Sequence, residues 1–336
     1  MSLLSRDFLI ILHQRLMSPR ACPGWLADNA AEDYSTIDEP PVTSSIKIFR
    51  GEFSTPKPLR VGSRLDKYRL TRRLGEGGFA TVYAASDTIE NRQVAIKVPD
   101  SRYVTNSQTL DDVQREVRIM AGLQHDNVLQ LKDARFIDGH FVMVFPLGDE
   151  TLADRMSRRL ARATAVDYAA KMVGAVAYAH ENRVLHRDIK PENFILFPEN
   201  QIRLTDFGLA RIERGNHHES ASGTLGYIAP EQAMGRPTYR SDVFSLGLVI
   251  YRLLAGELPE YPFEAPLPGY ARLRKGLSRD LVALIRKAID PAPNKRFRDA
   301  IAMHNALQKI RIPITEQSAS NKTIPRKTRR ATRQAA

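Results

Sequence analysis

Two acidic motifs joined by a short predicted hairpin constrain the fold of this chain more than any other feature. The segment 186–193 has the sequence HRDIKPEN, and thirteen residues after its last residue the segment 206–208 has the sequence DFG. Between them, 194–196 (FIL) and 202–204 (IRL) predict the two apolar strands of a hairpin. A chain that forms this hairpin brings Asn193 and Asp206 together at its open end.

These residue types suit chemistry on a phosphate group. Mg²⁺ prefers hard oxygen ligands and keeps several waters, so the amide oxygen of Asn193 and the carboxylate of Asp206 would hold it beside a triphosphate. Asp188 is then placed to accept the proton of an attacking hydroxyl, and Lys190 to neutralise the phosphate that is transferred. Each residue alone has an ordinary structural explanation, but the ordered set makes coincidence negligible.

A glycine-rich turn between two predicted strands is the second phosphate-binding signal. Segments 68–74 (YRLTRRL) and 81–85 (TVYAA) predict strands on either side of 75–80 (GEGGFA). Glycine has no Cβ, so the backbone of such a turn can approach phosphate oxygens closely. A Walker loop is excluded because no Gly-Lys-Ser/Thr ending is present, and a dinucleotide fingerprint because a strand rather than a helix follows. Taken alone, the turn is equally compatible with a plain hairpin.

A lysine and a glutamate form the third signal. Lys97 ends the apolar segment 94–97 (VAIK), and Glu116 borders the apolar face of a helix predicted over 111–120. A buried lysine near phosphates needs a carboxylate partner that keeps it charged and aimed, and Glu116 is predicted to be that partner. The alternatives are a lysine that extends into water and a surface glutamate.

Taken together, these motifs resemble those of the eukaryotic-type (Hanks-type) serine/threonine protein kinases over residues 67–310. The resemblance implies an α+β fold of two lobes, with a small β-rich N-lobe at 67–145 and a larger helical C-lobe at 149–310. An N-terminal extension at 1–66 and a basic tail at 311–336 would flank this kinase domain.

The resemblance also implies an activity and assigns residues to it. The activity is transfer of the γ-phosphate of ATP, with Mg²⁺ or alternatively Mn²⁺, to Ser or Thr hydroxyls of protein substrates and of the chain itself. Ten residues receive catalytic, metal-binding or structural roles by this resemblance. They are Asp188, Lys190, Lys97 and Glu116 for catalysis, Asn193 and Asp206 for the metal, and Arg187, Glu231, Asp242 and Arg296 for structure.

The structural roles implied by the resemblance are specific. Asp242 would hold the backbone of the catalytic loop, and Arg296 would pair with Glu231. Arg187, which precedes the base, would receive a phosphate on the activation loop. The segment 229–232 (APEQ) and the compact large lobe resemble bacterial members of the family.

The resemblance further places the nucleotide. Adenine would lie between Val82, Ala95 and Ile195, with Val144 guarding the pocket behind it. Because Pro146 has no N–H, adenine would be held by the backbone on either side of it. Ala80 stands where the family usually has a third glycine. The predicted ATP-binding residues are Leu74, Gly75, Glu76, Gly77, Gly78, Phe79, Ala80, Val82, Ala95, Lys97, Phe145, Leu147 and Ile195.

Two segments bear on substrate choice and regulation. The DIK sequence at 188–190 and the GTLGYI sequence at 223–228 resemble serine/threonine rather than tyrosine kinases. In the activation loop, Ser220 and Ser222 are the favoured phosphorylation sites. Thr224 is expected to position the substrate and is a third candidate for phosphorylation. A loop that is ordered without modification is the alternative.

Four arginines follow the predicted hinge. Arg155, Arg158, Arg159 and Arg162 are expected on one helix near the mouth of the cleft. A solvated helix face is the default interpretation, and a preference for acidic substrates is the alternative.

Charge and hydropathy limit the partners and the location. The formal net charge is +12, and the segment 311–336 holds seven Lys/Arg against one Asp/Glu. A solvated tail is the default interpretation, and contact with an acidic partner, an anionic membrane or nucleic acid is the alternative. The lack of aromatic residues in the tail disfavours nucleic acid. No apolar run reaches the roughly 18 residues of a membrane span, and 8–12 (FLIIL) is too short for a secretory leader. A helix at the N-terminus, with Leu4, Phe8, Ile11 and Leu12 on one face, would dock on the main domain, and a surface anchor or a helix that binds a partner is the alternative. A cytoplasmic protein is expected.

Two other functions share parts of this pattern. A pseudokinase that serves as a scaffold or a nucleotide-gated binding module usually lacks the base, the lysine or a metal ligand, and this chain keeps all of them. A small-molecule phosphotransferase should lack the segment 229–231 (APE) and the Gly-Thr pair of the substrate loop, and both are present.

Overall fold

The computed structural model describes residues 57–105, 107–207 and 225–310. The predicted N-terminal helix, the activation-loop candidates and the basic tail lie outside the described residues. The sequence predictions that fall there include Leu4, Phe8, Ile11, Leu12, Gly208, Ser220, Ser222 and Thr224.

The small lobe is built on a six-stranded antiparallel sheet with the strand order β1-β2-β3-β4-β6-β5. Two helices lie between β4 and β5 in the chain. The predicted strands at 68–74, 81–85 and 94–97 and the helix over 111–120 are confirmed. The elements of this lobe are β1 (Arg64–Leu65), β2 (Tyr68–Glu76), β3 (Ala80–Asp87), β4 (Arg92–Pro99), α1 (Ser101–Thr105), α2 (Ser107–Gly122), β5 (Asp133–Ile137) and β6 (His140–Pro146).

The large lobe is mostly helical and carries one small sheet of three strands in the order β7-β8-β9. The hairpin predicted between the two acidic motifs is formed by β8 and β9. The elements are β7 (Glu150–Thr151), α3 (Leu152–Met156), α4 (Arg162–Glu181), β8 (Phe194–Phe197), β9 (Gln201–Leu204), α5 (Pro230–Ala233), α6 (Tyr239–Ala255), α7 (Tyr270–Arg274), α8 (Arg279–Ala288) and α9 (Ala300–Gln308). The predicted two-lobed α+β fold is therefore confirmed.

Helix α6 is the buried centre of the large lobe. Almost all of its side chains are buried, so it packs against other elements on every side. The backbone N–H of Thr238 donates to the Ser241 hydroxyl at its start. Gly256, with φ +86°, ends it in the left-handed conformation that glycine adopts without strain.

The small lobe contains residues that the sequence analysis placed in the N-terminal extension. Leu65 is buried in the core on the outer face of the sheet, and β1 pairs with β2. Upstream, the carbonyl oxygen of Leu59 accepts a hydrogen bond from the Tyr83 hydroxyl, and that of Lys57 bonds the ring Nε2 of His140. Residues 57–65 thus form a strap over the sheet, a feature that weak apolar periodicity in this stretch did not predict.

The expectation that four arginines share one helix is wrong. Helix α3 ends at Met156, and Arg162 begins the separate helix α4, so Arg158 and Arg159 lie in the connection. The hydroxyl and the backbone N–H of Ser157 both bond the carbonyl oxygen of Asp154. Serine competes in this way for helix carbonyls and tightens the last turn, so helical periodicity does not continue through this residue.

Two glycines on buried helices predict opposite stability effects. A Cβ added to Gly247 on α6 would lie 2.8 Å from Ile289 Cγ2 and 2.9 Å from Ala288 Cβ, whereas one added to Gly174 on α4 meets nothing within 4 Å. Gly247→Ala should lower the free energy of unfolding by about 1–3 kcal/mol through overpacking. Gly174→Ala should raise it by roughly 0.5–1 kcal/mol, because alanine restricts the unfolded chain. Urea denaturation of both variants measures the difference, and equal effects at the two positions would contradict the packing of α6 described here.

Candidate active site

The candidate site lies between the two lobes, where five pieces of chain meet. The small lobe supplies the glycine-rich turn between β2 and β3, Lys97 in β4 and Glu116 in α2. The large lobe supplies the loop that precedes β8 and the residues that follow β9. The backbone N–H of Thr205 donates to the carbonyl oxygen of Asn193 at 2.9 Å, so the hairpin brings Asn193 and Asp206 to the same end, as its sequence suggests.

The loop that carries Asp188 is held by a buried carboxylate from α6. Asp242 accepts hydrogen bonds from the backbone N–H groups of His186 at 2.7 Å and Arg187 at 2.8 Å. It also bonds Nε2 of His180 at 3.1 Å, while Nδ1 of that ring accepts from the N–H of Ala300 at 2.9 Å. Because Nδ1 is an acceptor, Nε2 carries the proton and donates it to Asp242. Arg187 has φ +69°, a conformation that is strained for a residue with a Cβ.

Asp188 projects from this loop with one carboxylate oxygen held in place. Its Oδ2 lies 2.8 Å from Nζ of Lys190 and 3.0 Å from Nδ2 of Asn193. The same Nδ2 also donates to the backbone carbonyl of Asp188 at 2.7 Å. The Asp188 side chain keeps about a third of its surface exposed, at 33%. The carboxylate is therefore both fixed in direction and accessible.

Asp206 and Lys97 form the ion pair that joins the two lobes. Lys97 Nζ lies 2.5 Å from Asp206 Oδ1. Desolvation inside the cleft raises the pKa of Asp206, but the charge of Lys97 and its hydrogen bond outweigh this and hold that pKa below its ordinary value. Asp206 has φ +66°, so its backbone is strained as well.

Glu116 does not make the predicted hydrogen-bonded pair with Lys97. Its side chain is buried, with 3% of its surface exposed, and neither carboxylate oxygen has a hydrogen-bond partner among the described residues. Burial raises the pKa of Glu116 to about 8, although the charge of Lys97 partly opposes the shift. The physical reason for the difference is competition, because one ammonium group faces two carboxylates and Asp206 receives its hydrogen bond.

The glycine-rich turn is closed and pinned to the start of helix α1. The N–H of Gly77 donates to the carbonyl oxygen of Ala80 at 3.0 Å. Phe79 is 3% exposed, its ring centroid lies 4.9 Å from that of Tyr103, and its carbonyl oxygen accepts from the N–H of Asp100 at 2.8 Å. The other residues predicted for this turn lie at the end of β2 or in the turn itself, and they are Leu74, Gly75, Glu76 and Gly78.

The residues predicted around adenine lie on strands of both lobes. Val82, Ala95 and Ile195 are half-buried, while their neighbours in the strands are mostly buried. Ala95 pairs with Phe145 across β4 and β6. No hydrogen bond involves the N–H of Leu147 among the described residues, so this donor is available to a ligand.

The chemistry of these residues fits a magnesium–nucleotide complex. The Nδ2 of Asn193 is committed to Asp188, which leaves its Oδ1 as an oxygen ligand beside the carboxylate of Asp206. No group of three His, Cys, Asp or Glu residues suited to a metal occurs in the described ranges. Two protein oxygens with phosphate oxygens and water are the usual arrangement for Mg²⁺. A Cβ added to Gly75 would meet no atom within 4 Å, so the space beside this residue is open.

A second ion pair anchors the end of the activation segment. Arg296 donates to the two carboxylate oxygens of Glu231 at 2.7 and 3.1 Å, and the hydroxyl of Ser241 donates to the same carboxylate at 2.7 Å. Both ionic side chains are almost completely buried. Helix α5 is thereby fixed to α6.

Sequence analysis missed two residues that shape the site. Gly148 lies where the hinge crosses β8, and a Cβ there would collide with Ile195 Cγ2 and lie 2.7 Å from the carbonyl oxygen of Leu196. His180 positions Asp242, as described above. A single glycine after a strand and a histidine within an apolar helix carry no periodic signal that would distinguish them.

Comparisons with known proteins agree with this geometry. Residues 68–309 match the family model described as protein kinase domain. The chain is 32% identical over 274 residues to CBL-interacting serine/threonine-protein kinase 20 of Arabidopsis thaliana, and the aligned region covers 75% of this chain and 62% of that protein. It is 29% identical over 292 residues to serine/threonine-protein kinase PrkC of Bacillus subtilis, and the aligned region covers 79% of this chain and 45% of that protein.

Solved structures agree as well. The kinase domain of Mycobacterium tuberculosis PknI superposes with a TM-score of 0.58 at 25% identity, covering 75% of this chain and 99% of that one. The chain spans roughly half the length of the curated relatives it matches, from 45% to 62%. Within the described ranges, none of the helices combines the length and apolar character that crossing a membrane requires.

The burial of Glu116 predicts a pH-dependent stability. The pKa is about 8 in the folded chain against an ordinary value of 4.5, so between these values the folded chain binds a proton that the unfolded chain releases. Raising the pH through this window should therefore lower the free energy of unfolding by roughly 1 kcal/mol per pH unit. Glu116→Gln has no carboxyl that could titrate at this position. The Tm of this variant minus the Tm of the wild-type protein should therefore increase from pH 5 to pH 8, because only the wild-type protein loses this stability as the pH rises.

Thermal unfolding at several pH values measures this difference. The exposed Glu264→Gln is the matched control and should follow the wild-type curve. A Tm difference between Glu116→Gln and wild type that stays constant across the range would show that Glu116 titrates normally.

Proposed function

The chain belongs to the protein kinase domain family, and from that premise we propose that it is an ATP-dependent serine/threonine protein kinase. One observation carries the proposal. Asp188, Lys190 and Asn193 form one hydrogen-bonded group, and Lys97 and Asp206 form another within the same cleft. A base, a cationic group and two oxygen ligands are the parts that phosphoryl transfer requires.

Asp188 acts as the base for the hydroxyl of the substrate. Its Oδ2 is occupied by Lys190 and Asn193, so Oδ1 is left to accept the proton. Lys190, held 2.8 Å from that carboxylate, supplies positive charge where the transferred phosphate passes. The strained backbones of Arg187 and Asp206 persist only because their surroundings hold them, so the site is positioned before a substrate binds.

Asn193 and Asp206 would hold the metal through Oδ1 and the carboxylate. When bound, Mg²⁺, or Mn²⁺ as the alternative, would neutralise charge on the phosphate oxygens. Lys97, which here pairs with Asp206, would instead pair with the phosphates and with Glu116. For the pairing with Lys97, Glu116 must lose the proton that burial favours, because burial raises its pKa to about 8 even though the charge of Lys97 opposes the shift.

Substrate type and regulation form a further part of the proposal. The sequence 188–190 (DIK) and the substrate loop support transfer to Ser or Thr, and relatives named serine/threonine kinases agree. Phosphorylation at Ser220 or Ser222 regulates the loop, with Thr224 positioning substrate, although these residues lie outside the described ranges. The cytoplasm, where ATP and protein substrates occur together, is the proposed location. The acidic partner of the tail stays a prediction.

Replacing the base should abolish transfer while leaving nucleotide binding intact. Asp188→Asn should lower kcat by about 10²–10⁴-fold, the range typical for a lost general base, because Asn cannot accept the proton. Incorporation of labelled phosphate from ATP into Ser or Thr measures the rate, and the Tm rise caused by ATP measures binding.

Asp167→Asn is the matched control, since Asp167 is an exposed partner of Lys171 outside the cleft. It should keep wild-type activity. If the wild-type chain binds ATP but labels no Ser or Thr, the scaffold alternative replaces the kinase proposal.

Replacing the metal ligand should uncouple ATP binding from magnesium. The Tm rise caused by ATP should be larger with Mg²⁺ than without it in the wild-type protein, because a tighter ligand stabilises the fold more. In Asp206→Asn, the Tm rise caused by ATP should be almost the same with and without Mg²⁺. Lys97→Met should weaken ATP binding overall yet keep the dependence on Mg²⁺. An undiminished Mg²⁺ increment in Asp206→Asn would exclude Asp206 as a ligand.

A further inference from the structure

The side chain of Gln232 makes a buried contact with the backbone of the catalytic loop. It lies in the short helix α5, directly after Glu231, and its residue is 3% exposed. Its Nε2 donates a hydrogen bond to the backbone carbonyl oxygen of Arg187 at 2.6 Å. This carbonyl belongs to the peptide that connects Arg187 to Asp188, the proposed base.

The peptide that Gln232 contacts is otherwise weakly fixed. A peptide is planar, so its orientation is set by whatever holds its C=O and its N–H. The N–H on the other side of this plane, that of Asp188, reaches Nδ1 of His186 only at 3.3 Å. The bond from Gln232 is much shorter, so it is the stronger anchor of this plane.

Arg187 needs such an anchor on both sides. Its φ of +69° is unfavourable for a residue with a Cβ and persists only where the surroundings impose it. Asp242 Oδ1 holds its N–H at 2.8 Å, and Gln232 holds its C=O. The two contacts form a clamp, in which the buried carboxylate fixes one peptide and the buried amide fixes the next.

We propose that Gln232 is a positioning residue for the catalytic base: its side-chain amide holds the Arg187–Asp188 peptide so that Asp188 points into the cleft. The inference rests on the proposed kinase function and adds a residue to it. Gln232 acts through the backbone of the loop and does not touch substrate or nucleotide.

The amide of Gln232 is poorly explained by stability alone. Its Oε1 is buried and has no hydrogen-bond partner among the described residues. A buried acceptor without a partner is destabilising, and an apolar side chain of equal length would avoid that cost. The anchoring of α5 is supplied independently by Glu231, through Arg296 and Ser241. What Gln232 alone provides is the bond to the loop.

The test replaces the donor while keeping the size of the side chain. Gln232→Met has the same length without a donor, and Gln232→Glu places a carboxylate against the Arg187 carbonyl. We expect kcat to fall about 10–100-fold for Met, as for other small misplacements of catalytic groups, and further for Glu. KM for ATP should stay within about 2-fold of wild type, because the glycine-rich turn and the hinge are unchanged.

Gln308→Met is the matched control, since the same substitution is made on an exposed face of α9. Its kcat should equal that of wild type. The Tm of Gln232→Met should change little, because the variant removes one unpaired acceptor, Oε1, and creates another at Arg187. Wild-type kcat in Gln232→Met, or a kcat loss that merely follows a Tm loss across the variants, overturns the inference.

A readout without catalysis separates this inference from the proposed function. Hydrogen exchange in the peptide that spans residues 183–190 should be faster in Gln232→Met than in wild type and unchanged in Gln308→Met. If the wild-type chain transfers no phosphate, the kinase proposal fails but the exchange measurement still decides whether Gln232 holds the loop. Equal exchange in Gln232→Met and wild type overturns the inference in either case.

Discussion

The buried carboxylate of Asp242 is the interaction on which the catalytic half of the structure depends. Its oxygens accept from the backbone N–H groups of His186 and Arg187 and from the ring of His180. A buried carboxylate is tolerated only when such donors satisfy it. Helix α6 and the catalytic loop therefore fix each other, since the carboxylate needs the loop and the left-handed Arg187 needs the carboxylate. The direction of the Asp188 side chain is therefore set by the backbone of the catalytic loop as well as by the contacts of the side chain itself.

Lys97, Asp206 and Glu116 lie close together in the cleft above that loop. Lys97 satisfies Asp206 at 2.5 Å, and Glu116 is left buried with a pKa raised to about 8 by burial. Near neutral pH the carboxyl of Glu116 is therefore mostly protonated in this arrangement. Moving Lys97 to Glu116 requires loss of that proton and a new partner for Asp206. The protonation of Glu116 and the pairing of Asp206 are thus linked through the charge of Lys97.

Sequence patterns predicted the parts of the fold whose residues carry a local signal. Alternation and turn chemistry predicted the strands that flank the glycine-rich turn and the hairpin β8–β9. Family resemblance predicted the position of Asp242 beside the catalytic loop. The partner of Lys97 could not be predicted, because it depends on the relative position of α2 and Asp206, which no local pattern records. The break at Ser157 and the strap at 57–65 were missed for a related reason. A hydroxyl that bonds a helix carbonyl and a segment that packs on a distant strand leave no periodicity in the sequence.

Several of the contacts that local patterns miss involve backbone groups rather than ligands. Gln232 holds the carbonyl of Arg187, the N–H of Asp100 holds the carbonyl of Phe79, and the missing Cβ of Gly148 lets the hinge approach β8. A backbone group carries no side-chain identity, so the partner that holds it can be recognised only after the chain has folded. Catalytic geometry here is set by the orientation of a few peptides. Side chains that orient those peptides are consequently as close to function as the side chains that face the phosphate.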